Sequence, residues 1–190
     1  MKIITAPHQT LRATAEPISE INDATLDLLK SLKTDLDEQR NPTGVGLAGP
    51  QVDQSLRAFA ARPMTDGDPL QTPIRVFINP KIINHSQNQV LGQKHEQPDL
   101  EGCLSIPQIY GEVPRWQWVE LEFQTLENNK LVDHKEKFFD YAARIMQHEL
   151  DHLNGILFTD YILQYETPAY IVNKKNQLEE LDHLSILEVY

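Results

Sequence analysis

The stretch Gln147-His148-Glu149-Leu150-Asp151-His152 limits what this chain can fold into more than any other. Histidines at positions i and i+4 of a helix stand one above the other on the same face, so both imidazoles can reach one metal ion. Glu149, directly after the first histidine, can face a metal-bound water without being a ligand itself. Around these residues Ala142, Ile145, Met146, Leu150 and Leu153 repeat at helical spacing, which makes the helix largely apolar and therefore buried. Burying His148, Glu149, Asp151 and His152 for packing alone is costly. The helix begins near Asp140, read as its N-cap, and Asn154-Gly155 supplies the C-cap. Two histidines and a base are still one ligand short of a catalytic site, so the fold must deliver a third ligand from elsewhere.

Where that ligand comes from is the next question. A zinc-peptidase pattern that extends H-E-x-x-H to a glycine and then a third histidine fits as far as Gly155, but Phe158 stands where that histidine belongs. A downstream glutamate, as in thermolysin-type sites, has candidates by spacing in Glu166, Glu179 and Glu180, none with a supporting context. Upstream, Glu101-Gly102-Cys103-Leu104-Ser105-Ile106-Pro107 holds the only cysteine of the chain. Cys103 has three readings: a small buried hydrophobe, a nucleophile, or a thiolate ligand completing a Cys-His-His set. Judged locally the core reading is favoured; judged together with the histidine helix the ligand reading is. A single cysteine also rules out an internal disulfide and fits a reducing compartment, taken to be the cytoplasm.

The remaining sequence is that of a globular domain. Its 190 residues suit one domain with a real core. The formal net charge of -11 argues against general attraction to nucleic acid or to anionic lipid. No apolar run approaches the ~20 residues of a membrane-spanning helix, and the start of the chain has no signal-peptide pattern. From Asn22 or Asp23 to about Gln39, Leu26, Leu28, Leu29, Leu32 and Leu36 predict an amphipathic helix, with the leucine stripe as core. Gly44-Val45-Gly46-Leu47-Ala48-Gly49-Pro50-Gln51 leaves its backbone bare for a close approach but fits no phosphate-binding pattern. Residues 56–62 and 74–78 predict strands, the second ended by Asn79-Pro80, and Ile82-Ile83 a third. His85 and His95 receive no role. Residues 113–123 alternate with period two, with Trp116, Trp118, Glu120 and Glu122 on one parity and Val119, Leu121 and Phe123 on the other. Sheet packing is favoured over a binding platform for the tryptophans, and 131–139 form the partner strand after a turn at Glu127-Asn128-Asn129-Lys130. Residues 156–158 predict a short strand and 174–187 a final helix.

The stretches Gly44 to Gln51, Glu101 to Ser105 and Gln147 to His152, in that order, resemble the three signature motifs of peptide deformylase. Pro7, Leu11-Arg12, Asn79-Pro80, Val113-Pro114-Arg115 and Leu157-Phe158-Thr159-Asp160 extend the likeness over roughly residues 1–165. The resemblance implies an α+β fold with antiparallel β-sheets surrounding a central metal-binding α-helix. It implies one such domain over 1–190, with a variable C-terminal tail from about residue 163, and removal of the formyl group from the initiator methionine of new polypeptides. It assigns Cys103, His148 and His152 as ligands of one divalent metal, iron(II) being usual in the family and zinc or nickel possible substitutes. Glu149 is then the general base and later acid, and the Gln51 amide and Leu104 backbone N–H are the oxyanion donors. N-formylmethionyl peptides are the implied partners: the Val45-Gly46 backbone pairs with them as an added strand, and Val45, Tyr141, Ile145 and the ring of His148 line the methionine pocket. Glu101 and Asp151 are candidates to orient ligands or to hold Arg115.

The chain departs from the family in places. Gly49 stands where alanine is usual, and Asp140 where glycine is usual before the metal helix. Ribosome contact through a basic C-terminal helix is not carried over, because the tail holds Lys174 and Lys175 against Glu166, Glu179, Glu180, Asp182 and Glu188. Two other readings stay open: a zinc peptidase with a different third ligand, and a catalytically degenerate homologue that binds formyl-peptides without turnover.

Overall fold

The structure, a computed structural model, describes residues 1–92 and 99–190, so His95 lies outside the described residues. Strand β2 (Ala58–Ala61) shows how the main sheet is built, because all of it is buried and its two faces serve different cores. Ala58 and Ala60 join Leu28, Leu29, Leu32 and Leu36 of helix α1 (Asp23–Glu38). Phe59 and Ala61 join Ala142, Ile145, Met146 and Leu150 of helix α2 (Asp140–Leu153). The period of two along a strand produces this division, and burial on both faces explains why the segment reads as a continuous apolar run. Asn22 caps α1, its side chain accepting from the Thr25 N–H at 3.0 Å.

In chain order the strands are β1 (Gly46–Ala48), β2, β3 (Arg75–His85), β4 (Gln89–Val90), β5 (Leu100–Cys103), β6 (Ile106–Glu112), β7 (Arg115–Trp116), β8 (Trp118–Glu127), β9 (Lys130–Phe139), β10 (Ala169–Val172) and β11 (Leu178–Glu180). They form a five-stranded sheet of order β1-β2-β3-β8-β9, a four-stranded sheet β11-β10-β6-β5 and the pair β4-β7. Every pairing within these sheets is antiparallel. The five-stranded sheet lies between α1 and α2. Phe59, Phe77 and Phe123 stack along the α2 side, with ring centroids 4.9 and 4.7 Å apart. The four-stranded sheet has its own core of Ile106, Ile109 and Ala169 against Leu157, Phe158 and Ile162 of helix α3 (Phe158–Tyr165) and its entry. The alternation in β8 holds: Val119, Leu121 and Phe123 are buried, and Trp118, Glu120 and Glu122 are not fully so. No helix among the described residues is long and apolar enough to cross a membrane.

Four expectations are corrected. Asn79-Pro80 does not end a strand but lies inside β3, where the ladder to β8 slips between Ile78 and Lys81. Such a bulge accommodates a residue with no N–H to donate. Asn79, at φ 50°, closes the gap by bonding Ile18 through both its amide atoms and donating to Gln124 Oε1. Residues 156–158 form no strand; Phe158 opens α3, and Asp160 Oδ2 accepts from the Leu157 N–H at 2.9 Å. The tail is no helix over 174–187 but the β10–β11 hairpin followed by a 3-10 turn at Leu184–Val189. Leu181, Leu184 and Leu187 pack on the third core, and the spacing of Leu184 and Leu187 suits the three residues per turn of that tighter helix. Finally, Asp140 does not cap α2 through its side chain; it is the first helical residue, at φ 50°. A left-handed backbone is where the family's usual glycine sits without strain, and aspartate is among the few other residues that adopt it.

Gly49 has a reason of its own. A Cβ there would lie 2.5 Å from the Leu56 carbonyl oxygen and 2.8 Å from that of Gln54, both backbone atoms with little room to yield. Gly49→Ala, a change towards the family's usual residue, is therefore expected to destabilise this chain by about 1–3 kcal/mol. Urea denaturation checks it, and an unchanged midpoint would contradict this account of the loop.

Candidate metal centre

Helix α2 carries His148 and His152 on one face, their ring centroids 4.9 Å apart. Cys103 ends β5, where the chain turns through Leu104-Ser105 into β6 and the ladder slips between Gly102 and Cys103. The slip takes the cysteine out of the sheet's regular pattern. Its Sγ lies 3.2 Å from His152 Nε2, and one ligating atom from each of Cys103, His148 and His152 falls within 4.8 Å of the others. Among the described residues this is the one cluster of its kind.

The surroundings of these atoms suit a cation. His148 Nδ1 is 3.0 Å from Glu101 Oε2, which orients the ring and leaves Nε2 for the cluster. The sulfur accepts from Gln51 Nε2 and from the Ser105 N–H, both at 3.4 Å. Glu149 is 2 % exposed, and its Oε2 has no hydrogen-bond partner among the described residues. Burial, helped by the charges of Glu101 and Asp151 and opposed by His148, pushes its carboxyl up to about 7. A buried carboxylate oxygen left alone is costly unless something polar binds beside it. One thiolate and two imidazoles form a donor set for zinc, iron(II) or nickel, and three protein ligands leave a position open. The residues fit a catalytic metal.

Behind the cluster lies a buried ionic brace. Arg115 donates to Glu101 through Nε (2.8 Å) and Nη2 (2.9 Å), and to Asp151 Oδ2 through Nη1 (2.5 Å). Arg144 adds a bond to Glu101 Oε1 at 2.8 Å. Burial opposes ionisation of Glu101, but the Arg115 guanidinium holds it well below the usual carboxylate range. Asp151 moves the other way: burial raises it, and Arg115 only partly offsets the effect.

A cleft of about 590 Å³ opens over the cluster, between the edge of β1 and the turn into β6. Val45, Gly46, Gln51, Leu104, Tyr141, Ile145 and Glu149 all line it. Val45 O accepts from the Arg62 N–H, so by the alternation of an antiparallel ladder Gly46 turns its own N–H and C=O to the free edge. Ala48 faces that edge too, and its N–H is bonded to Gln51 Oε1 at 2.8 Å. That bond aims Gln51 Nε2 at the cysteine. Gly46 must be glycine, because a Cβ would collide with the Glu149 carboxylate.

With this geometry in place, the sequence profile of polypeptide deformylases matches residues 1–167. The chain belongs to the polypeptide deformylase family. It is 38% identical to a peptide deformylase of Latilactobacillus sakei over 200 residues, covering 98% of this chain and 97% of that one. It is also 38% identical to one of Pseudothermotoga lettingae over 152 residues, covering 80% and 77%. Among solved structures, a plant peptide deformylase superposes with a TM-score of 0.71 at 32% identity, covering 85% of this chain and 79% of that one. A Met-Ala-Ser-bound deformylase of Acinetobacter baumannii gives 0.70 at 29%, covering 85% and 98%.

Against the deformylase family, the alternative third ligands have no place. Glu166, Glu179 and Glu180 are exposed and outside the cluster, and Phe158, 1 % exposed, packs with its ring centroid 6.2 Å from that of His148. The tryptophans pack as expected: Trp116 stacks on His85 and Trp118 lies under Lys137. Sequence reasoning missed Ser105, whose Oγ accepts from Gln51 Nε2 at 3.2 Å. It also missed Arg144, although its position one turn before His148 was a usable signal. Gln147 was quoted only as part of the motif, yet it clamps α2 to β7 through both backbone polar atoms of Trp116. If Cys103 is a ligand, Cys103→Ala will weaken zinc binding by more than the roughly 10–100-fold typical of lost outer contacts. Competition with a chromogenic chelator measures this, and undiminished affinity would remove the thiol from the ligand set.

Proposed function

We propose that residues 1–190 act as one deformylase unit that hydrolyses the N-formyl group from the initiator methionine of newly made polypeptides. We further propose that it works in the cytoplasm with iron(II), the family's usual metal, held by Cys103, His148 and His152. The observation that carries this reading is the convergence, at a single cleft, of Glu149, whose Oε2 has no partner among the described residues, Cys103 and His148 of the Cys-His-His cluster, and the oriented Gln51 amide. Among the described residues, a peptidase with a different third ligand has no residue to supply it.

A metal held by these residues polarises a carbonyl and acidifies water. The chain's own residues do the rest. A formyl-peptide lies along the free edge of β1 and pairs with Gly46 as an added strand, which is why this edge carries no side chain at that point. Val45, Tyr141, Ile145 and the ring of His148 enclose the methionine side chain. Gln51 Nε2 and the Leu104 N–H donate to the formyl oxygen as negative charge develops on it. Glu149 takes a proton from the attacking water and passes it to the departing amine, so that formate and a free N-terminus result. The Acinetobacter baumannii relative was solved with Met-Ala-Ser bound, which supports a peptide as the ligand of this chain.

Protein loaded anaerobically with iron(II) is expected to release formate from formyl-Met-Ala-Ser. Glu149→Ala should retain its metal and lose about 10²–10⁴-fold in rate. Formate assay with metal analysis on both proteins tests this. Unimpaired turnover by the variant removes Glu149 from its role, whereas metal-loaded unaltered protein that binds the peptide without releasing formate is a degenerate homologue.

A further inference from the structure

We infer that the β10–β11 hairpin forms part of the substrate groove and that Asn176 reads the peptide beyond its formylmethionine. The inference rests on the deformylase reading above. The family match ends at residue 167, immediately before β10, yet Val172 and Asn176 line the same cleft as Gly46, Leu104 and Glu149. The hairpin is fixed to the metal centre by continuous pairing: β10 pairs with β6 at Ala169↔Gly111, Tyr170↔Tyr110 and Ile171↔Ile109, and β6 pairs with β5, which ends in Cys103.

The turn itself is ordered by its own side chains. Asn173 Oδ1 accepts from the N–H groups of Lys175 (2.8 Å) and Gln177 (3.0 Å), and Asn173 Nδ2 donates to Glu179 Oε1 at 2.6 Å. The Asn176 N–H donates to Asn173 O at 2.9 Å. The side-chain amide of Asn176, by contrast, shows no hydrogen bond to any described residue; the residue is exposed at the rim of the cleft, where its amide is open to solvent. An extended peptide advances about 3.3 Å per residue and presents alternating N–H and C=O groups. A side chain with one acceptor and two donors matches such a backbone without selecting its side chains. Val172 adds an apolar contact on the same wall. A deformylase that acts on many different chains needs this kind of recognition.

Asn176 also has φ 59°, a conformation asparagine tolerates, so its identity could serve the turn alone. Asn176→Gly separates the two roles, since glycine keeps the left-handed turn and removes the amide. For the full-length iron(II) protein, the ratio of kcat/KM on formyl-Met-Ala-Ser-Ala to that on formyl-Met-Ala is expected to fall about five-fold in the variant, the size of one lost hydrogen bond. An unchanged ratio, including a parallel fall on both peptides, overturns the inference while leaving the deformylase reading intact. Formate release from neither peptide by the unaltered protein overturns that reading and the inference with it. Binding gives a second readout. In zinc-loaded Glu149→Ala, the NMR signals of the Asn176 side-chain amide should shift with the longer peptide and not with the shorter. Shifts with both or with neither count against the inference.

Discussion

Glu101 is the carboxylate on which the rest of the site depends. Its two oxygens accept from Arg115 and Arg144 and meet His148 Nδ1; Glu101 and both arginines are buried, and His148 is partly so. A buried charge of this kind is tolerated only when it is paired and fully hydrogen-bonded, and removing one partner typically costs about 3–5 kcal/mol. The brace matters because of where its members sit. Glu101 lies on β5, two residues before Cys103; Arg115 opens β7; Arg144, His148 and Asp151 belong to α2. One ionic cluster therefore fixes the strand that brings the thiol against the helix that brings the imidazoles. Tyr161 of α3 completes it, donating to Asp151 while the Arg115 guanidinium lies 4.6 Å from its ring centroid.

The cleft follows from how two sheets meet around this helix. The five-stranded sheet presents the edge of β1, and the four-stranded sheet presents the turn after Cys103 and the far hairpin. Close approach is possible because Gly46 has no side chain to displace Glu149. Gln51 links the two sides: its oxygen is bonded to Ala48 beside the free edge, and its nitrogen to Cys103 and Ser105. The free edge of β1 and the position of the Gln51 amide are thus set by one side chain.

Helix α2 was legible in the sequence because its apolar repeat and its His148-to-His152 spacing pointed to the same face. The β8–β9 hairpin was legible for a similar reason, as alternation and the Asn128-Asn129 turn agreed. Cys103 could be weighed only jointly with the histidines, since nothing local separates a ligand from a small core residue. Other features depend on partners remote in sequence. Asn79-Pro80 looks like a strand end, and only the bonds from Asn79 to Ile18 and Gln124 carry β3 through it. Ile156 to Phe158 is a short apolar run after Gly155, so local pattern favoured a strand where burial against Ile106 and Ile109 selects a helix from Phe158 onward. In the tail, residues 174–187 read as a final helix, but the β10–β11 hairpin takes the first part and a 3-10 turn the second.

All of this converges on a cluster of one sulfur and two imidazole nitrogens able to hold a metal ion, which we propose as its protein ligands. X-ray absorption at the iron edge of the iron(II)-loaded protein tests that most directly. The account predicts a first shell containing one sulfur scatterer and two histidine nitrogens. A shell of nitrogen and oxygen alone would contradict it, because Cys103 would then be a packing residue and the brace at Glu101 would be organising something other than the metal.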